Sequence, residues 1–190
     1  PFGIIGVDRT SYGASFQGNT GGTHGVMPHR LTFGIDLQRQ NDDRVEYANC
    51  NGQTTPPFPD PADCVSATSE RGALARSQVE RVTSVGPYLR DELDLTSTLA
   101  LSLGVRGDLV TFDVSDRFTA DGDDSGDERM TQVSPMVGLV ARLGSLTSMY
   151  ASVSSAFETP TATELANKPD GSAGINPKHD PQYATTFEGG

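Results

Sequence analysis

Tryptophan is absent from this chain, cysteine occurs twice, and no run of about 18 apolar residues is present. The missing apolar run excludes a membrane-crossing helix. Pro1-Phe2-Gly3-Ile4-Ile5 lacks the charged start and apolar stretch of a secretory leader. Neither end reads as a natural terminus, so the chain is expected to be an internal stretch of a longer protein. Positive charge is scarce: 14 Lys and Arg stand against 25 Asp and Glu, for a net charge of −11. A surface this acidic repels phosphate backbones and makes nucleic acid a poor partner. The only histidines, His24, His29 and His179, show no metal-ligand spacing, so surface or loop roles and no metal site are expected. There is no G-x-S-x-G and no other local nucleophile signature. No catalytic residues and no cofactor are expected.

Glycine, at 21, and proline, at 12, are plentiful, and 35% of residues are hydrophobic. That balance points to many short extended segments punctuated by turns. Period-two alternation supports it. Leu99, Leu101, Leu103, Val105 and Leu109 share one parity, against Ala100, Ser102, Gly104, Arg106 and Asp108. A helix would scatter the leucines around its circumference, whereas a strand collects them on one face. Thr83, Val85, Pro87, Leu89 and Leu93 repeat the pattern, with Asp91 as an exception. The intervening Asp94 to Thr98 predicts a tight hairpin turn. A second hairpin joins Val133–Leu143 to Met149–Val153 through Gly144-Ser145-Leu146-Thr147. Leu31, Phe33, Ile35 and Leu37 alternate upstream, and Gly3 to Gln17 and Gln182 to Gly190 are weaker candidates. About seven strands are expected in all.

Short turns near Thr96 and Ser145 contrast with long connections at Gln40–Val79, Ser115–Thr131 and Phe157–Gln182. Long structureless loops count against a compact soluble domain. An outer-membrane barrel combines short periplasmic turns, long external loops and strands that are apolar outside and polar inside. The fold class expected is therefore all-β: part of an antiparallel up-and-down transmembrane barrel, an open curved sheet if isolated. The competing fold is a soluble sandwich, whose apolar face would point inward. Cys50 and Cys64 lie in a Pro- and Asp-rich segment. A disulfide between them would close a loop of roughly 15 residues, worth about 3 kcal/mol in the chain-entropy model; two free thiols are the alternative.

Several segments resemble one family. Val85 to Leu93 followed by Leu101 to Asp108, Ser134 to Leu139, Met149 to Phe157 with Thr159 to Leu165, Ile175-Asn176-Pro177 and Phe187-Glu188-Gly189 are similar, in this order, to the β-barrel of TonB-dependent outer-membrane receptors. Leu31 to Asp36 with Asp42-Asp43-Arg44 resembles an earlier barrel strand and its loop. Gly107, where an aromatic is usual, Lys178-His179 and Ala156 depart from the pattern. The resemblance implies a barrel of about 22 strands with a plugged lumen, of which residues 1–190 would form about a third. It implies bacterial outer-membrane localisation and uptake of an iron chelate, such as a ferric siderophore, or of a similar small nutrient. It also implies outer-membrane lipid around the barrel and coupling to the TonB complex through a plug region absent from this chain.

Arg90, Arg106, Asp108, Arg142 and Glu188 fall on the expected lumen face. They suit either contacts to plug and anionic ligands or ion pairs between neighbouring strands. Asp121, Asp123, Asp124, Asp127 and Glu128 crowd one segment. A calcium site is one reading, but EF-hand spacing does not fit, and a solvated external loop is preferred. Two other functions compete with coupled uptake: a passive porin-like channel, which needs no plug, and a secreted β-sandwich binding module, which needs no detergent.

Overall fold

The computed structural model describes residues 3–48, 73–165, 168, 174–176 and 178–190. Cys50 and Cys64 lie outside the described residues. Seven strands run in sequence: β1 (Gly3–His24), β2 (Met27–Ala48), β3 (Leu74–Asp94), β4 (Leu99–Asp116), β5 (Gly126–Arg142), β6 (Ser148–Glu158) and β7 (Gln182–Gly189). One helical turn, α1 (Ala162–Leu165), lies between β6 and β7. The strands form a single sheet in the order of the chain, each antiparallel to the next, with β1 and β7 as its open edges. The sheet is an up-and-down meander.

The registers decide what each face carries. Ser102 opposes Gly138 and Glu92, and Arg106 opposes Tyr88 and Ser134. Through most of β2 to β7, even-numbered residues therefore share one face; in β1 the odd-numbered ones join them. α1 lies on that side, called inner here. Leu165 is wholly buried there against Val110, Phe112 and Met130. On the outer face the apolar side chains are uncovered: Leu103 is 42% exposed, Leu139 41% and Val133 60%. No second layer packs against them among the described residues, which removes the sandwich reading. On β4 the outer apolar row runs from Leu99 to Leu109, matching the roughly 9–11 tilted residues that cross a bilayer.

β1 and β2 have 22 residues each. At about 3.3 Å per residue they reach about 70 Å, well beyond a hydrocarbon layer of about 30 Å. The excess explains where sequence expectation and structure part. Gln40–Val79 was expected to be loop, yet β2 continues to Ala48 and β3 begins at Leu74. Ser115–Thr131 narrows in the same way, to the stretch between Asp116 and Gly126. These extensions have polar groups on both faces, so alternation carries no signal there. Cross-strand charge holds them instead: Arg9 opposite Asp42, and Arg76 opposite Glu46.

At the other end, β1 runs past Gln17 to His24 and turns into β2 through Gly25-Val26. Gly25 has φ +63°, as a two-residue hairpin with glycine at its first central position requires. His24 and His29 thus belong to strands, with ring centroids 5.7 Å apart. His29 Nδ1 lies 3.1 Å from Asp91 Oδ1, so the odd acid on the apolar face has a partner where the apolar band ends.

Two prolines mark breaks in the ladder. β3 and β4 pair up to Val85–Leu109 and resume at Tyr88–Arg106, skipping Pro87 and Gly107. β5–β6 pairing stops at Met136–Ser154, one residue short of Pro135. A proline has no N–H to give.

Leu103→Arg, on the outer face, should destabilise the membrane-inserted protein by about 2–4 kcal/mol, whereas Ser102→Arg should cost far less. Urea unfolding from phospholipid vesicles measures both; equal losses would show that the two faces meet the same environment.

Candidate functional site

The inner wall carries charge in three tiers. Nearest the short turns, Arg90 donates to Ser102 Oγ at 3.0 Å and pairs with Glu92 at 2.8 Å. Arg30 stands 3.8 Å from Glu92, and Arg142 stands 3.7 Å from Asp94. These residues border a cavity of about 570 Å³.

The middle tier centres on Arg106. It donates to Asp36 at 2.6 Å and to Asp108 at 2.8 Å, so one guanidinium serves two carboxylates on strands β2 and β4. Gly86, on the strand between them, makes this possible, because a Cβ there would collide with the Arg106 guanidinium. Likewise a Cβ on Gly34 would strike the Tyr88 ring, whose hydroxyl donates to Gln17 Oε1 at 3.0 Å. Glycines in adjacent strands thus let long side chains lie flat on the wall.

The tier at the loop end is the most enclosed. Asp42, 3% exposed, accepts a fork from Arg9 at 2.8 and 2.7 Å and a third bond from Gln40 at 3.0 Å. Glu80, 5% exposed, accepts from Gln78 at 2.6 Å and lies 3.6 Å from Arg44, which also bonds Glu46. Bidentate geometry of this kind is the strongest form of the pair. A cavity of about 730 Å³ opens between this wall and the inward-folded segment Thr159–Ala162.

That segment is built to hold its place. The Thr161 N–H and Oγ1 donate to Glu164 Oε2 at 2.8 and 2.9 Å, and the Glu164 N–H returns to Thr161 Oγ1 at 3.3 Å. This reciprocal cap starts α1. Leu165 anchors it below, and the Asn176 N–H donates to Leu165 O at 2.6 Å. The Glu164 carboxyl sits below its ordinary range, chiefly because it accepts the Thr161 backbone N–H.

The acidic connection between β4 and β5 uses its carboxylates as backbone acceptors. Asp116 receives the N–H groups of Phe118 and Asp124, Asp123 that of Ser125, and Asp124 that of Gly174. Bonds from Ser125, its side chain first, hold the Asp123 carboxyl below its usual range. Among the described residues, no group of three or more His, Cys, Asp and Glu could hold a metal ion.

Of the residues singled out from sequence, Arg106 and Asp108 touch each other, and Arg90 and Arg142 line the turn-end cavity. Glu188 stands on edge strand β7 opposite Ser152, exposed and bonded to none of them. Sequence reading did not assign Arg9, Asp36, Asp42 and Glu80 to a site. Parity places Asp36 on the inner face, but its link to Arg106 depends on a strand between them that bears glycine.

The whole of this architecture has a counterpart. Residues 2–190 match the family described as TonB dependent receptor-like, beta-barrel. The chain belongs to that family. Its fold is similar to that of the ferric citrate transporter FecA, crystallised in the unliganded form, with a TM-score of 0.69 and 15% sequence identity. The likeness covers 100% of this chain and 26% of that one. At that identity it is a likeness of fold, and the sheet described here is one sector of such a barrel.

Because the Glu164 pKa is lowered on folding, its stabilisation of α1 is complete above the ordinary carboxylate value of 4.5 and is lost as pH falls through the folded value. Amide protection factors at residues 161–165, corrected for the intrinsic pH dependence of exchange, should therefore hold at neutral pH and fall only in acid. Glu164→Gln should remove that acid step.

Proposed function

We propose that the protein is a bacterial outer-membrane receptor that captures a small nutrient, an iron chelate or a molecule of like size, and imports it with energy from TonB. Membership of the family supports this, and the single observation that carries it is the division of faces. Exposed Leu and Val cover the outside, while Arg106, Asp36, Asp108, Asp42 and Glu80 line the inside. A wall greasy without and charged within suits a wet lumen crossing lipid.

The short turns would then face the periplasm, and the opposite strand ends, at Ala48, Leu74, Asp116, Gly126 and Glu158, would face outward. Binding residues concentrate on loops held by a rigid scaffold. The loop-end cavity beside Thr159–Ala162 is where a captured ligand would first meet the barrel wall. A plug contributed by another part of the protein would fill the lumen, and the half-exposed pairs of the turn-end tier would exchange partners with it. No covalent chemistry is involved, and the protein is not an enzyme.

A porin-like passive channel would share the two-faced wall, so energy coupling separates the readings. Uptake of radiolabelled ferric chelates by cells carrying the full-length protein should fall at least about tenfold when TonB is deleted, since coupled transport stops without its energy source whereas a diffusive pore does not. Unchanged uptake without TonB would replace the receptor with a passive channel.

A further inference from the structure

The outer face is not uniformly smooth. Where the β3–β4 ladder skips Pro87 and Gly107, the wall is dented by an open groove of about 610 Å³ whose lining is mostly apolar (Val85, Pro87, Leu109 and Val133 among others) but also includes Asp108 and Gln132. Pro87 has no N–H to close the ladder, and Gly107 has no side chain to fill the gap. A Cβ built on Gly107 meets nothing within 4 Å. The groove belongs to β3, β4 and β5, interior strands of the sheet, so further strands joining at β1 and β7 would leave it uncovered.

Its level in the wall is as telling as its shape. Val85, Leu109 and Thr131 are register partners, and one step toward the loops on the same face comes the row Arg39, Thr83, Thr111 and Arg129. Arg81 and Asp113 follow, paired at 2.8 Å. Apolar wall thus gives way to arginine immediately above the groove. The Arg129 side chain is exposed and has no hydrogen-bond or ion-pair partner among the described residues. Arg39 donates to Asn41. In a chain of net charge −11, a free guanidinium at the lip of an apolar groove is conspicuous, and its fork matches a phosphate.

We propose that this groove is a lipid site: it takes one acyl chain of a phosphate-bearing lipid from the loop-side leaflet, and Arg129 holds the headgroup phosphate. The proposal rests on the membrane-spanning reading given above. Chain and headgroup are recognised by different residues, so the two contributions separate.

The test uses the full-length receptor containing this chain, delipidated in mild detergent. It is offered phosphatidylglycerol or phosphatidylcholine of identical acyl chains, and retained lipid is counted by native mass spectrometry. Wild type should retain phosphatidylglycerol roughly fivefold better than phosphatidylcholine, because only the former presents an anionic phosphate without a neighbouring cation. Gly107→Phe, which fills the groove, should lower retention of both lipids about tenfold through lost apolar contact. Arg129→Ser should leave chain binding intact and bring the ratio to about one. If Gly107→Phe does not fold, the Arg129→Ser ratio decides alone. Retention by both variants equal to wild type overturns the proposal, as does a co-purifying protein in place of lipid. Ferric-chelate uptake measured in parallel separates the two claims: lost lipid preference with normal uptake confirms the groove without touching the transport reading, and a receptor that enters no bilayer overturns that reading itself.

Discussion

A backbone amide in hydrocarbon has no water to fall back on, so every strand that crosses a membrane must find its hydrogen bonds in a neighbouring strand. The meander from β1 to β7 meets that demand by pairing each strand with the next in sequence. Once the pairing is fixed, parity is fixed, and a shift of one residue would turn every leucine inward. The unbroken register from Gly3–Ala48 to His24–Met27, and the small lapses where Pro87 and Pro135 offer no donor, show how closely the wall follows this rule. Everything else in the molecule depends on which side the greasy parity lies.

The inner wall answers a different problem. Charges removed from bulk water need partners, and the more enclosed the position, the more complete the pairing. Asp42, nearly buried, accepts three hydrogen bonds, and Glu80, equally enclosed, accepts one from Gln78 and faces Arg44 at 3.6 Å. Arg142 and Asp94, half exposed, stand 3.7 Å apart. The carboxylates of Asp42 and Glu80 at the loop end are buried, whereas the pairs at the turn end stand about half exposed, so water can replace a partner there. Ion pairs at exposed positions contribute little to stability in any case, so the turn-end tier is suited to exchange and the loop-end tier to holding that end of the wall in shape.

Sequence showed the part of this that lies in lipid. Leu99 to Leu109 and Val133 to Leu143 alternate because one face meets hydrocarbon and the other does not, and the turn from Leu95 to Thr98 falls where polarity predicts it. Above the bilayer that contrast disappears, and with it the means of seeing that Asn41 to Ala48 or Leu74 to Val79 are strand. The hairpin at Gly25-Val26 was hidden because β1 is rich in glycine and small polar residues, leaving its phase weak. The inward course of Thr159 to Leu165 could be matched to a familiar motif, but its capping pair and the burial of Leu165 against Phe112 depend on residues far apart in the chain. Of the site, Arg106, Asp108 and the inward side of Asp36 were legible from parity; the link of Asp36 to Arg106 and the place of Arg9 required the register.

The direction of the two faces is open to direct observation. Nitroxide labels placed singly at Leu101, Leu139, Ser102 and Gly138 of the full-length protein in vesicles report collisions with oxygen, which partitions into hydrocarbon, and with a nickel chelate, which stays in water. Labels at Leu101 and Leu139 should favour oxygen, and labels at Ser102 and Gly138 the nickel chelate. The reverse order, or water contact at all four, would contradict a barrel wall that turns its apolar side to lipid.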